Sequence, residues 1–157
     1  MKFFLILFKL NLLSLSFITF LLSNSLFPFA TDILSFAIPF FVINNEIITP
    51  KLNGTILPGI TRLSVIELAY QWGIKVHERK ISIDELLQGI HDRKVSEVFG
   101  TGTAAVISPV SILRYKGQSH VVGNGEIGHY AKLFFEALTQ IQYGEKFDKL
   151  GWIETIG

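Results

Sequence analysis

The sequence predicts an α+β fold with one core, and three observations carry that prediction. From Asn44 onward, short apolar runs punctuated by Asn, Gly and Pro read as strands and tight turns. Three further stretches carry helix signals, either caps or apolar residues at a 3.6-residue period. Residues 46–157 also hold 12 basic and 12 acidic side chains, the balance of a globular domain with no electrostatic bias toward nucleic acid.

Along the chain, "NNEIITPKLNGTILPG" breaks at Asn44-Asn45, Pro50, Asn53-Gly54 and Pro58-Gly59, which suits strands joined by turns. A helix follows from about Thr61 to Trp72, with Leu63, Ile66 and Tyr70 on its apolar stripe and Gly73 as its C-terminal cap. "IKVHERKIS" alternates as a strand around Val76. Ser82 and Glu85 have capping-box spacing, so "IDELLQGI" is a short helix. "SEVFGTGTAAVISPV" is a buried strand, a Gly-Thr-Gly-Thr turn and a second strand, and "ILRYKGQSHVV" is a hairpin around Lys116-Gly117. Ile127, Ala131, Phe134, Leu138 and Ile141 mark a long amphipathic helix that ends near Gly144.

The N-terminus differs in kind. Residues 1–45 carry only Lys2, Lys9 and Asp32 as charges, and the run from Leu10 to the small polar residues Ser23 to Ser25 follows signal-peptide grammar. A membrane segment satisfies the same length, as does an extension unrelated to the domain behind it. The chain has no cysteine, which excludes disulfides, thiolate metal sites and a cysteine nucleophile. The four histidines, His77, His91, His120 and His129, lack metal-ligand spacing, and Ser108 has no acid–base pair beside it.

Two segments carry chemistry. In "LPGITR" a strand ends in a Gly turn and enters a helix, which leaves the first N–H groups of that helix unpaired at the positive end of its dipole. Gly59 admits close approach, Thr61 adds a hydroxyl, and the amides of Ile60 and Thr61 can receive an anion. A plain turn with Thr61 as the N-cap satisfies the same spacing. Arg62 can approach a phosphate from the helix start, but a solvated side chain is the better reading. In "GTGTAAV", Gly100 to Val106, flexible backbone, two hydroxyls and two small residues present donors to an anion, or else form a β-turn between core strands. Neither segment is a P-loop or a dinucleotide fingerprint.

Three blocks, "FFVINNEIITPKLNGTILPGITRLSVIELAYQWGIKVHERKISIDEL", "EVFGTGTAAVISPV" and "IQYGE...GW", occur in the order and spacing of the branched-chain amino acid aminotransferases. From Phe40 to Ile156 the chain resembles the C-terminal part of these pyridoxal phosphate enzymes of fold-type IV. The resemblance implies a mixed sheet with flanking helices, and divides the chain into an apolar segment 1–39 and an aminotransferase-like domain 40–157. It implies a cofactor site at Leu57, Gly59, Ile60, Thr61, Gly102 and Thr103, with Leu57 against the pyridine ring and the amides of Ile60 and Thr61 on the phosphate. Thr103 adds a hydroxyl and an amide to that phosphate, the amides of Thr103 and Ala104 meet the substrate carboxylate, and Ala105 lines that pocket.

The resemblance also defines what to expect of the reaction. No residue here matches the family's Schiff-base lysine, whose place falls at or before Met1, so no catalytic residue is nominated. Ile33 stands where the carboxylate facing the pyridine nitrogen is expected, one residue from Asp32. The implied function is transfer of the amino group of Leu, Ile or Val to 2-oxoglutarate, by a part that is inactive alone. The implied partners are the amino-acid and 2-oxo-acid substrates, with a homodimer for a complete chain, no nucleic acid and the cytoplasm as compartment. Alternatives are a non-catalytic phosphate-binding domain, an anchored or exported protein, or the related D-amino acid aminotransferase or aminodeoxychorismate lyase.

Overall fold

The structure, a computed structural model, describes residues 38–52, 58–102, 106–145 and 148–153. The expectations for residues 1–37, for the Asn53-Gly54 turn, and for Leu57, Thr103, Ala104 and Ala105 lie outside the described residues.

A five-stranded sheet forms the centre, with β1 (Ile38–Ile43), β2 (Glu46–Pro50), β3 (Val76–Arg79), β4 (Val95–Gly102) and β5 (Val106–Pro109) in the order β3-β2-β1-β4-β5. The β2–β3 pair is parallel and the other pairs are antiparallel, so the sheet is mixed as expected. Asn44 and Asn45 turn β1 into β2 with φ of 50° and 64°, a left-handed pair that asparagine tolerates better than other side chains. A second hairpin, β6 (Ile112–Tyr115) and β7 (Gln118–Val121), turns through Lys116 and Gly117 at φ of 48° and 79°.

Both faces of the sheet are covered, which explains why β1 reads "IPFFVI" with no polar alternation. Phe40 and Val42 point to the side of α1 (Ile60–Gln71) and α3 (His129–Gln142), where they meet Val65, Leu68, Ala69, Phe134 and Leu138. Phe41 points the other way, to Leu86 and Ile90 of α2 (Ile83–His91) and to Leu113 and Val122. Phe40 lies opposite Phe99 across the β1–β4 ladder, and their rings stack with centroids 5.2 Å apart.

The helix ends follow local chemistry. Ser82 accepts a hydrogen bond from the Glu85 amide at 3.0 Å and starts α2, as the capping-box spacing predicts. After α1 the amide of Gly73 donates to Tyr70 and that of Ile74 to Ala69, a Schellman closure that needs a left-handed residue, here Gly73 at φ 70°. Gly144 closes α3 in the same way, and Arg93, at φ 56°, closes α2.

Four expectations require correction. The N-cap of α1 is Gly59, so Thr61 lies one residue inside the helix and caps nothing. The buried face of α1 is Arg62, Ser64, Val65, Leu68 and Ala69, while Leu63 and Tyr70 are exposed. Both stripes have helical period; the sheet takes the one with small residues, because Ser64 and Ala69 let the helix approach closely. Arg62 is 1% exposed rather than solvated, because it is paired with Glu78. Ile127 is exposed and precedes α3, because the chain enters that helix only after Gly128, where a Cβ would overlap the Glu97 carboxylate.

Candidate functional site

The site grows from a place where the sheet's own hydrogen bonding gives out. Pro39 in β1 and Pro50 at the end of β2 have no N–H, so neither can donate to the ladder. Side chains take over there. Thr49 Oγ1 donates to the Pro39 carbonyl at 2.9 Å, Thr101 Oγ1 donates to the Ile38 carbonyl at 3.2 Å, and both threonines are buried. Arg62 Nη2 donates to the Pro50 carbonyl at 3.2 Å and to Glu78 Oε2 at 2.5 Å. This end of the sheet is therefore held by hydroxyls and a guanidinium, leaving room for a turn to enter.

The helix α1 starts at that end. Gly59, the N-cap, is extended at φ −67° and ψ 136°, a conformation open to any residue, so its value lies in space rather than in φ. A Cβ there would come within 3.2 Å of Ile38 Cδ1, at the first position of β1. The first intrahelical bond runs from the Leu63 amide to the Gly59 carbonyl, which leaves the amides of Ile60, Thr61 and Arg62 without helical acceptors. Among the described residues no side chain caps them, and the first turn carries no acid.

Elsewhere the chain fills such positions itself. Ser82 caps α2, and the buried Glu97 carboxylate accepts from the amides of Tyr130 and Ala131 at the start of α3. At α1, three N–H groups at the positive end of a 12-residue helix find no anion among the described residues.

Of the residues that sequence reasoning brought forward, Gly59, Ile60 and Thr61 make this helix start, with Ile60 exposed and Thr61 half-buried. Gly102 ends β4, next to Thr101, and Thr101 lies opposite Ile38, the residue that Gly59 abuts. The two anion-binding segments inferred from the sequence therefore approach the same end of the sheet. Val106 resumes the chain opposite Gly102 with φ 42°, a costly conformation for a β-branched residue and one that clusters at functional loops.

Sequence reasoning missed Thr49 and Thr101 and placed Arg62 in solvent. The signal for Arg62 was its phase: it falls on the same face as Val65 and Ala69, three and seven residues on.

The perturbed groups lie on β3 and around α2, where the Arg79 guanidinium holds the Glu85 carboxyl low and Lys94 does the same for Asp92. The histidines stay apart, and no group of three His, Asp or Glu side chains suits a metal ion among the described residues. Among those residues no helix is long and apolar enough to cross a membrane. A shallow depression lined by Pro109, Ser111, Gly125, Glu126 and Ile127 shares none of the residues above. What the site offers is backbone amides, suited to an anionic group such as a phosphate.

Known proteins resemble the chain over this same region. A family model described as amino-transferase class IV matches residues 29–113, more than half of the chain. A "Probable branched-chain-amino-acid aminotransferase" of Staphylococcus aureus (strain N315) is 52% identical over 113 residues, which are 72% of this chain and 32% of that protein. "Branched-chain-amino-acid aminotransferase 2" of Bacillus subtilis (strain 168) is 53% identical over 113 residues, 72% of this chain and 31% of that protein. The crystal structure of the Escherichia coli branched-chain amino acid aminotransferase superposes with a TM-score of 0.65 at 35% identity, covering 77% of this chain and 37% of that one. The crystal structure of the T.th. branched-chain amino acid aminotransferase complexed with N-(5'-phosphopyridoxyl)-L-glutamate does so with a TM-score of 0.63 at 31% identity, covering 75% and 36%. The chain spans about a third of the length of these relatives.

Proposed function

The chain belongs to the amino-transferase class IV family, and from that membership we propose that it is the cofactor-phosphate and substrate-carboxylate portion of a branched-chain amino acid aminotransferase. The observation that carries the reading is the start of α1, where the amides of Ile60, Thr61 and Arg62 have no helical acceptor and, among the described residues, no side-chain cap. A phosphate dianion fits such a place, because it supplies both the acceptors and the negative charge that the helix end lacks.

In this reading pyridoxal 5'-phosphate is the ligand. When bound, it supplies the electron sink for moving the amino group of Leu, Ile or Val to 2-oxoglutarate. Gly59, Ile60 and Thr61 hold its phosphate together with Gly102 and Thr103, and Leu57 lies against its ring. The amides of Thr103 and Ala104 receive the substrate carboxylate, and Ala105 lines that pocket. An anchor of this kind fixes the ring while the chemistry proceeds at its far side. The division into residues 1–39 and an aminotransferase-like 40–157 belongs to the same reading, as do a homodimer for a complete chain and the cytoplasm as compartment.

No lysine of this chain is assigned the covalent role, so binding and turnover separate. Titrating the purified chain with pyridoxal 5'-phosphate should give saturable binding that inorganic phosphate competes away. Leucine with 2-oxoglutarate should show no conversion by the chain alone. Measurable turnover would sink the non-catalytic part of this reading, and absence of any binding would sink its core.

A further inference from the structure

A guanidinium is rarely fully buried, yet Arg62, the third residue of α1, is 1% exposed. Its Nη2 reaches two acceptors on different strands, the Pro50 carbonyl and the Glu78 carboxylate. Pro50 is the last residue of β2, and Glu78 lies on β3 opposite Thr49, next to Pro50 in the parallel ladder. Strand β2 ends at Pro50 and α1 begins at Ile60. Arg62 therefore spans the two ends of the connection that carries Gly59, and anchors both to the edge strand.

We infer that the Arg62–Glu78 pair is a positioning device, setting the first turn of α1 at the angle at which the amides of Ile60 and Thr61 meet a phosphate. This rests on the phosphate reading above. Arg62 and Glu78 act through the turn. The guanidinium suits the task because its planar fork keeps fixed directions to two acceptors, which a lysine ammonium does not. Glu78 is half-exposed, so its carboxylate aligns the fork at modest desolvation cost. A turn held in its binding geometry before the ligand arrives spends less of the interaction on ordering.

The test separates position from stability. Glu78→Gln keeps an acceptor beside Arg62 and leaves the bond to Pro50 in place, so the chain stays folded; Arg62→Lys is the more severe partner variant. Ser82→Ala, which removes the cap of α2, serves as a control that lowers stability on another helix. Affinities for pyridoxal 5'-phosphate and inorganic phosphate are measured at a temperature where circular dichroism shows each variant folded. Glu78→Gln should weaken both ligands at least ~5-fold, and Arg62→Lys more, while Ser82→Ala lowers Tm and leaves both affinities unchanged. Wild-type affinity in Glu78→Gln, or a loss in Ser82→Ala of the same size, overturns the positioning role alone. A wild-type chain that binds neither ligand overturns the phosphate reading, and this role with it.

Discussion

The Glu97 carboxylate on β4 accepts hydrogen bonds from the amides of Tyr130 and Ala131, each at 3.1 Å, and so caps α3 from 33 residues away. The carboxylate fills the space in which a side chain on Gly128 would lie. Glu97→Ala should therefore destabilise the chain by about 2 kcal/mol, because two charge-assisted bonds go and two amides at the helix start lose their acceptor. Gly128→Ala should cost a similar amount, roughly 1–3 kcal/mol, through overlap with that carboxylate. Together they should cost clearly less than their sum, because removing the carboxylate removes the overlap. Urea unfolding of the two single variants and the double variant measures this, and simple additivity would contradict it.

Arg93 closes α2 in the left-handed conformation that Gly73 and Gly144 supply at the ends of α1 and α3. A Cβ in that conformation is strained, by about 1 kcal/mol. Arg93→Gly should stabilise the chain by roughly 0.5 kcal/mol after the greater freedom of glycine in the unfolded chain is counted. An unchanged or lowered Tm would argue that the Arg93 side chain makes a contribution of its own.

Arg79 bonds the Glu85 carboxylate through both guanidinium nitrogens, at 3.1 and 2.6 Å, and holds that carboxyl below the usual glutamate range. A folded-state pKa lower than the unfolded one means that the pair stabilises above the ordinary glutamate range and loses this as pH falls through the folded value. Both side chains are well exposed, so Glu85→Gln should cost about 0.5 kcal/mol or less near neutral pH. The difference from wild type should shrink in 1 M salt and vanish at acid pH. A cost that persists in acid would mean that Glu85 acts through packing rather than charge.

The parts of the fold legible in the sequence are those decided within a few residues. Ser82 with Glu85, Lys116 with Gly117, and Gly73 and Gly144 after their helices each specify a turn or cap through their own backbone chemistry. The facing of α1 was not legible, because Leu63 with Tyr70 and Val65 with Ala69 keep the same period, and only the sheet selects between them. Arg62 was misjudged for the same reason: its acceptors, Pro50 and Glu78, are 12 and 16 residues away in the chain. At the site, a helix starting after Pro58-Gly59 could be read, but not that Thr61 fails to cap it, and the threonines bonding β1 carbonyls needed the ladder register.

In the proposed reading the turn Gly59–Thr61 and the strand end at Gly102 hold a phosphate group. The most direct measurement compares the affinity of the purified chain for pyridoxal 5'-phosphate with that for pyridoxal, which has the same ring and aldehyde without the phosphate. The phosphorylated form should bind at least roughly tenfold tighter, about 1.4 kcal/mol, and inorganic phosphate should erase the difference. Equal affinities for the two compounds would contradict it.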